Sequence, residues 1–266
     1  MKANPRSKGL KIIVLVKWVP SASEELIIDE SGRNIKRAGV NFTLNEFDNY
    51  ALEEGLRLKE ETNGHLTAIA MGPLEYQEAL VVALAKGADD AIHLNYEGEY
   101  DAWVASEILA RLITTLEYDI IFTGLEATDT NEGQVGVLVA EKLKIPHVAA
   151  VTKVEVSDGK TRVIRELGGG VSEELEVPIP VLFATLSSKN PPRYAPLMKI
   201  LAARRRGLKC LELKDIGVNI DAVKPRVRIV KMTTPERKKS LKIISGKSVE
   251  EQAANLFNVL LEKGVV

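Results

Sequence analysis

The residues best suited to chemistry in this chain run from Thr123 to Leu138. They read Thr123-Gly124-Leu125-Glu126-Ala127-Thr128-Asp129-Thr130-Asn131-Glu132-Gly133-Gln134-Val135-Gly136-Val137-Leu138. A small, polar, glycine-bearing loop stands here between an apolar run and a helical pattern. Free N–H groups at a helix start attract an anion, and a phosphate suits them well. Glycines let a ligand approach the backbone closely. Asp129 has two possible tasks: holding a ribose hydroxyl, or capping the helix that follows. An ordinary strand-to-helix turn with a good cap would read the same way, because the spacing matches neither common phosphate-loop pattern. No glycine-rich loop ends in Lys-Ser/Thr, so ATP hydrolysis of the common kind is not expected.

Catalytic constellations are otherwise missing. Cys210 lies among basic residues that would lower a thiol pKa, but no histidine is positioned beside it by sequence, so it reads as structural. His65, His93 and His147 each fall at or beside an apolar strand, a core-edge position. Glu53-Glu54 reads as helix surface and Asp89-Asp90 as a turn, and neither pair has a partner that marks it as an acid–base couple. One cysteine and three histidines disfavour a structural zinc site.

The elements that must position the loop alternate. Leu10 to Val16 is a continuous β-rich run of the kind buried on both faces, ended by Pro20. A helix from Asn45, a suitable N-cap, to about Glu61 follows; then a strand from His65 to Met71, a helix from Glu75 to Lys86, and a short strand at 91–94. A helix from Tyr100 to Leu116 precedes the strand Tyr118–Thr123. This order predicts a Rossmann-like, doubly wound α/β fold with a mostly parallel sheet. After Pro146 the texture changes. Ser157-Asp158-Gly159-Lys160 between two alternating runs predicts a hairpin, so antiparallel strands join the sheet late. Further strands are expected at 173–177 and 180–186, then a short basic helix from Leu197 to Arg206. From Leu213 the chain reads as an extended arm. It ends in an amphipathic helix whose Val249, Ala253, Leu256, Phe257, Leu260 and Leu261 share a face. The expected division is a nucleotide-binding domain over 1–212, with a partner loop near 190–200, and a docking arm over 213–266.

The net charge of −1 hides an asymmetry: residues 189–247 hold 17 basic against four acidic side chains, or +13, leaving −14 elsewhere. That basic segment is expected to face something acidic. Arg204-Arg205-Arg206 has no interleaved aromatics for base stacking, so nucleic acid is not the expected partner. No stretch approaches the ~18 consecutive apolar residues of a membrane span. Met1 to Gly9 is basic but no small-residue cleavage site follows, so a signal peptide is not expected. The lone cysteine permits no intrachain disulfide, and the expected location is cytoplasmic.

Three blocks together resemble the beta (small) subunit of electron-transfer flavoproteins. The first is Val16-Lys17-Trp18-Val19-Pro20 with Leu44-Asn45-Glu46-Phe47-Asp48 and Ala51 to Lys59. The second is Met71-Gly72-Pro73 with Ala83 to Asp89. The third joins the opening loop to Asn190-Pro191-Pro192-Arg193-Tyr194-Ala195-Pro196-Leu197. The resemblance implies a Rossmann-like subunit that binds AMP, or a second FAD as in electron-bifurcating relatives, and pairs with an alpha subunit holding the redox FAD. The pair would carry electrons from dehydrogenases to a quinone oxidoreductase or another acceptor. By that resemblance the nucleotide pocket takes Leu15, Asn45, Glu46, Phe47, Asp48, Met71 and the loop residues Ala127, Thr128, Asp129, Thr130, Asn131, Gly133, Gln134, Val135, Gly136, Val137 and Leu138. Partner docking would fall to Arg193, Tyr194 and Leu197, with Glu166 near the alpha-subunit flavin domain. The alternative is a stand-alone adenine-nucleotide-binding α/β protein of stress-protein or adenylyl-transfer type.

Overall fold

Strand β1 (Lys11–Leu15) shows why a sheet covered on both faces forms. Side chains alternate along a strand, so Ile12 and Val14 enter one core while Ile13 and Leu15 enter the other. After the half-buried Lys11 at its start, neither side of this strand is polar, and only a position between two helical layers keeps both sides out of water. A computed structural model of the protein describes residues 9–157, 160–219, 223–235 and 241–265. The basic start Met1 to Lys8 and the Asp158-Gly159 turn lie outside the described residues.

The chain continues through β2 (Trp18–Pro20), β3 (Phe42–Leu44), α1 (Glu46–Thr62), β4 (His65–Gly72), α2 (Gln77–Lys86), β5 (Asp90–Asn95), α3 (Ala102–Ile113), β6 (Ile120–Gly124) and α4 (Val135–Leu143). It then forms β7 (His147–Ser157), β8 (Lys160–Gly168), β9 (Val171–Pro178), β10 (Val181–Thr185), α5 (Leu197–Arg206), β11 (Lys209–Leu211) and α6 (Val249–Glu262). The main sheet has the order β11-β5-β4-β1-β6-β10-β7-β8-β9. Its pairings are parallel from β11 to β7 and antiparallel for β7–β8 and β8–β9. The fold is a mostly parallel α/β sheet with late antiparallel strands.

One strand sits elsewhere than its place in the chain suggests. β10 does not extend the antiparallel end but inserts between β6 and β7, parallel to both. Its Val-Leu-Phe-Ala-Thr run is buried at every position, the mark of an interior parallel strand. Phe183 there packs against Phe122 of β6, with ring centroids 5.6 Å apart and tilted by 45°.

The two faces carry separate cores. Leu52 and Leu56 of α1 and Leu80 of α2 cover one, while Ile108 and Leu112 of α3 and Val139 of α4 cover the other. Fully burying one such side chain contributes ~1.5–3 kcal/mol. Leu213, Ile216, Val218 and Val223 still pack on the second core, so the chain stays with the domain beyond the start of the expected arm. Helix α6 has no buried residue, and Leu256, Phe257 and Leu261 of its apolar face are exposed. Among the described residues no helix is long and apolar enough to cross a membrane.

At the antiparallel end, Lys160–Glu176, Arg162–Glu174 and Arg165–Glu173 pair across β8 and β9 on the sheet's last two strands. All are solvent-screened pairs, each worth little to stability.

Candidate functional site

Strand order locates the site before any side chain is considered. From β1 the chain moves outward to β4 and β5, then returns to place β6 on the other side of β1. Connections leaving β1 and β6 therefore diverge, and open α/β sheets hold ligands in the crevice this creates beyond the strand ends. A cavity of about 1080 Å³ lies there. It exceeds the ~300–1,000 Å³ usual for small-molecule sites.

Its floor is formed by strand ends. Leu15 ends β1, Met71 lies near the end of β4, and Thr123 and Gly124 finish β6. Tyr96 and Tyr100, from the loop after β5, add an aromatic wall, with ring centroids 5.9 Å apart. Helix α4 supplies the polar end. Its N-cap Gln134 makes no side-chain cap bond, so the first-turn N–H groups have no partner within the helix. Gly136 in that turn lies so close to β6 that an added Cβ would stand 2.7 Å from Thr123 Oγ1. That hydroxyl is buried without a hydrogen-bond partner. An apolar and aromatic floor beside unpartnered backbone donors and an orphaned hydroxyl suits a ligand with an aromatic base and an anionic group.

The loop between β6 and α4 is held from outside itself. Asn45 is fully buried just before α1, yet its side chain does not cap that helix. Instead Nδ2 donates to the Glu126 carbonyl (2.8 Å), and Oδ1 accepts from Thr128 N (3.1 Å). Asp48, three residues on, accepts from Lys17 N (2.7 Å) and Gly124 N (3.0 Å). It thus ties the ends of β1 and β6 together. Burial pushes the Asp48 carboxyl up to about 7, although the Asn45 side chain, both N–H donors and the Lys17 charge pull the other way. Lys17 Nζ reaches across the crevice to Asp129, 2.8 Å from each carboxylate oxygen. Asp129 therefore neither caps α4 nor stands free. Asn131 and Gly133 take positive φ, and these left-handed residues turn the loop back toward α4.

Of the residues expected in the pocket, Leu15, Asp48, Met71, Ala127, Thr130, Gly133, Gln134, Val135 and Gly136 line the cavity. Asn45, Thr128 and Asp129 brace its loop instead. Glu46, Phe47, Asn131, Val137 and Leu138 do not line it. Tyr76, Tyr96, Tyr100, Arg33, Arg37 and the chain from 224 to 229 also line it, with no sequence signal of their own. The loop after β5 was open to inference, because every loop leaving a parallel strand emerges on the same edge.

The expected docking residues stand apart from the cavity. Tyr194 and Leu197 are 82% and 65% exposed. Arg193 is not free for a partner: Nε and Nη2 bind Glu53, Nη1 binds Glu60, and its backbone N–H donates to Glu53 Oε2. Ser188 likewise bonds Glu54. Glu53 and Glu54 are thus buried anchors, not surface acids, because the segment before α5 folds over that side of α1. Glu166 lies exposed on β8 opposite Ser172. Cys210 is exposed on β11 and its sulfur accepts from Gln77 Nε2 (3.3 Å). His93 is buried and bonded to the Gly72 carbonyl (3.0 Å), a core histidine.

The model of the electron transfer flavoprotein domain matches residues 33–215. The chain is 39% identical to the electron transfer flavoprotein subunit beta of Clostridium acetobutylicum over 259 residues, covering 96% of this chain and 99% of that one. It is 32% identical to the Bacillus subtilis subunit beta, covering 97% and 100%. The chain belongs to the electron transfer flavoprotein beta-subunit family. It is also 32% identical to the caffeyl-CoA reductase-Etf complex subunit CarD of Acetobacterium woodii, covering 97% and 100%. Membership of the electron transfer flavoprotein family implies electron transfer, a task that requires no protein nucleophile.

Proposed function

We propose that this chain is the nucleotide-binding beta subunit of a two-subunit electron carrier and is not itself an enzyme. The observation that carries the reading is the crevice between β1 and β6, with the uncapped start of α4 at one end and an aromatic floor at the other. An adenine nucleotide would place its phosphate at the α4 N–H groups of Val135 and Gly136 and its base over Leu15, Met71 and the tyrosines. Asn45, Asp48 and Lys17 act one step removed, by fixing the loop. A bound flavin would supply the redox chemistry, while this chain binds, orients and excludes water. The cavity has room for a dinucleotide as well as a mononucleotide, so both AMP and FAD remain occupants of the same reading.

The partner is an alpha subunit bearing FAD, covering the bare face of α6 at the end of the arm. Leu197 and Tyr194 would meet dehydrogenases or a quinone oxidoreductase, and Glu166 the partner's flavin domain. The uncovered α6 counts against a stand-alone nucleotide-binding enzyme, which would leave that face in water. Co-expression with an alpha subunit, followed by extraction and chromatography of bound nucleotide, tests the proposal. One AMP and one FAD per pair supports a conventional carrier, and two FAD an electron-bifurcating one. A colourless, well-folded monomer with ATPase or transferase activity would overturn it.

A further inference from the structure

The chain from 224 to 229 lines the cavity although it belongs to no helix or strand. It is fixed on both sides of the opening. On one side Asp101 uses Oδ1 to cap α3 at Val104 N (2.9 Å), and Oδ2 to accept from Arg226 N (2.6 Å) and Val227 N (2.9 Å). The Arg226 guanidinium lies 3.5 Å from the centroid of Trp103, a cation–π contact. On the other side Met232 N donates to the Gly32 carbonyl (2.8 Å), and Arg33, next in the chain, lines the cavity. Between these anchors the segment runs along the cavity.

Charge gives this course a purpose. Among the described residues, and without this segment, the lining holds three cations, Lys17, Arg33 and Arg37, against seven carboxyls. A lining so weighted repels a phosphate. Lys17 and Arg37 are moreover occupied by Asp129 and Glu75. The segment adds Lys224, Arg226 and Arg228. Among the described residues, Lys224, Arg228 and Arg33 are the cavity-lining cations with no carboxylate partner and no ring contact.

We propose that residues 224–229 form a strap that completes the binding cavity, with Lys224 and Arg228 supplying the positive charge for the phosphate of an adenine nucleotide. This rests on the nucleotide reading above and adds that the arm, ahead of any docking role, belongs to the binding site. Retention of the ligand therefore depends on the strap, and the strap's order depends on the ligand.

The test uses the co-expressed pair with the full-length chain. Lys224→Ser with Arg228→Ser should raise the dissociation rate of the extractable adenine nucleotide at least about tenfold, since losing even one charge-assisted contact has that effect. The alpha-subunit flavin should stay bound. Lys242→Ser, on the arm but outside the cavity, should leave the rate unchanged. Equal rates in the double variant and the wild type would overturn the strap. A wild-type pair with no extractable adenine nucleotide would instead overturn the underlying reading. Limited trypsinolysis of the wild-type pair covers the case in which the double variant fails to assemble. Cleavage after Arg226 and Arg228 should slow when nucleotide is added to a depleted pair, and indifference to nucleotide counts against the strap.

Discussion

Arg193 and Glu53 face each other across 140 residues of sequence, with guanidinium-to-carboxylate distances of 3.0–3.2 Å and a backbone N–H bond of 2.9 Å. The same helix α1 carries Asp48 near its start and Glu60 near its end, about 18 Å apart at 1.5 Å per residue. One rigid element therefore holds the crevice at one end and the exposed Tyr194–Leu197 segment toward the other. Glu53→Ala leaves the Arg193 N–H and guanidinium with only Glu60 and solvent. A loss of about 1–3 kcal/mol is expected in denaturant unfolding, discounted for the partial exposure of Arg193. Electron delivery from dehydrogenases should fall while nucleotide content stays constant.

Asn45→Ala removes both bonds that hold the 126–128 loop and strands a carbonyl and an N–H. Stability should drop by about 1–3 kcal/mol, with faster nucleotide loss from the co-expressed pair. Asn45→Asp keeps the acceptor for Thr128 N but not the donor for Glu126, so its effect should be intermediate. Equal behaviour of the two variants would show that the Thr128 bond contributes nothing.

Asp48 sets a pH dependence whose sign is fixed by its burial. Its folded carboxyl is raised from the ordinary value to about 7. The stabilising contribution is therefore complete below about pH 4, where both states hold the proton, and is lost as pH rises through 7. Its size is on the order of 1–4 kcal/mol, because each tenfold change in proton affinity between the folded and unfolded chain is worth about 1.4 kcal/mol. Urea midpoints from pH 4 to 8, compared with Asp48→Asn, should show a slope in the wild type that the variant lacks. The variant should also be weaker at low pH, since its amide turns an N–H toward either Lys17 N or Gly124 N.

Leu197→Ala changes a side chain in water and should leave stability within about 0.5 kcal/mol. If the segment is the docking surface, stopped-flow reduction of the pair by an electron-donating dehydrogenase should slow several-fold with heterodimer yield unchanged. Unchanged rates would move the docking surface elsewhere.

Much of this was legible in the sequence, for a physical reason. Regular elements announce themselves through local periodicity, so the alternation from Leu10 to Thr123 and the loop before α4 stand out without coordinates. What the sequence hid was set by distant partners. Asn45 reads as a cap because local chemistry favours it, but its amide is claimed by backbone 81 and 83 residues away. Glu53 and Glu54 read as surface acids until the segment before α5 covers them. The strap has no periodicity at all, since backbone bonds to Asp101 and one aromatic ring fix it, not a buried face.

The open sheet also has two edges, and each is closed to growth. β11 offers only three residues, too few to template another strand. β9 is longer, but it holds Glu173, Glu174 and Glu176 beside their partners on β8. A second copy arriving edge to edge would set acid against acid along the new ladder. Head-on polymerisation of this sheet is thus opposed by charge at one end and by shortness at the other, leaving aggregation at the edges disfavoured whatever the arm is doing.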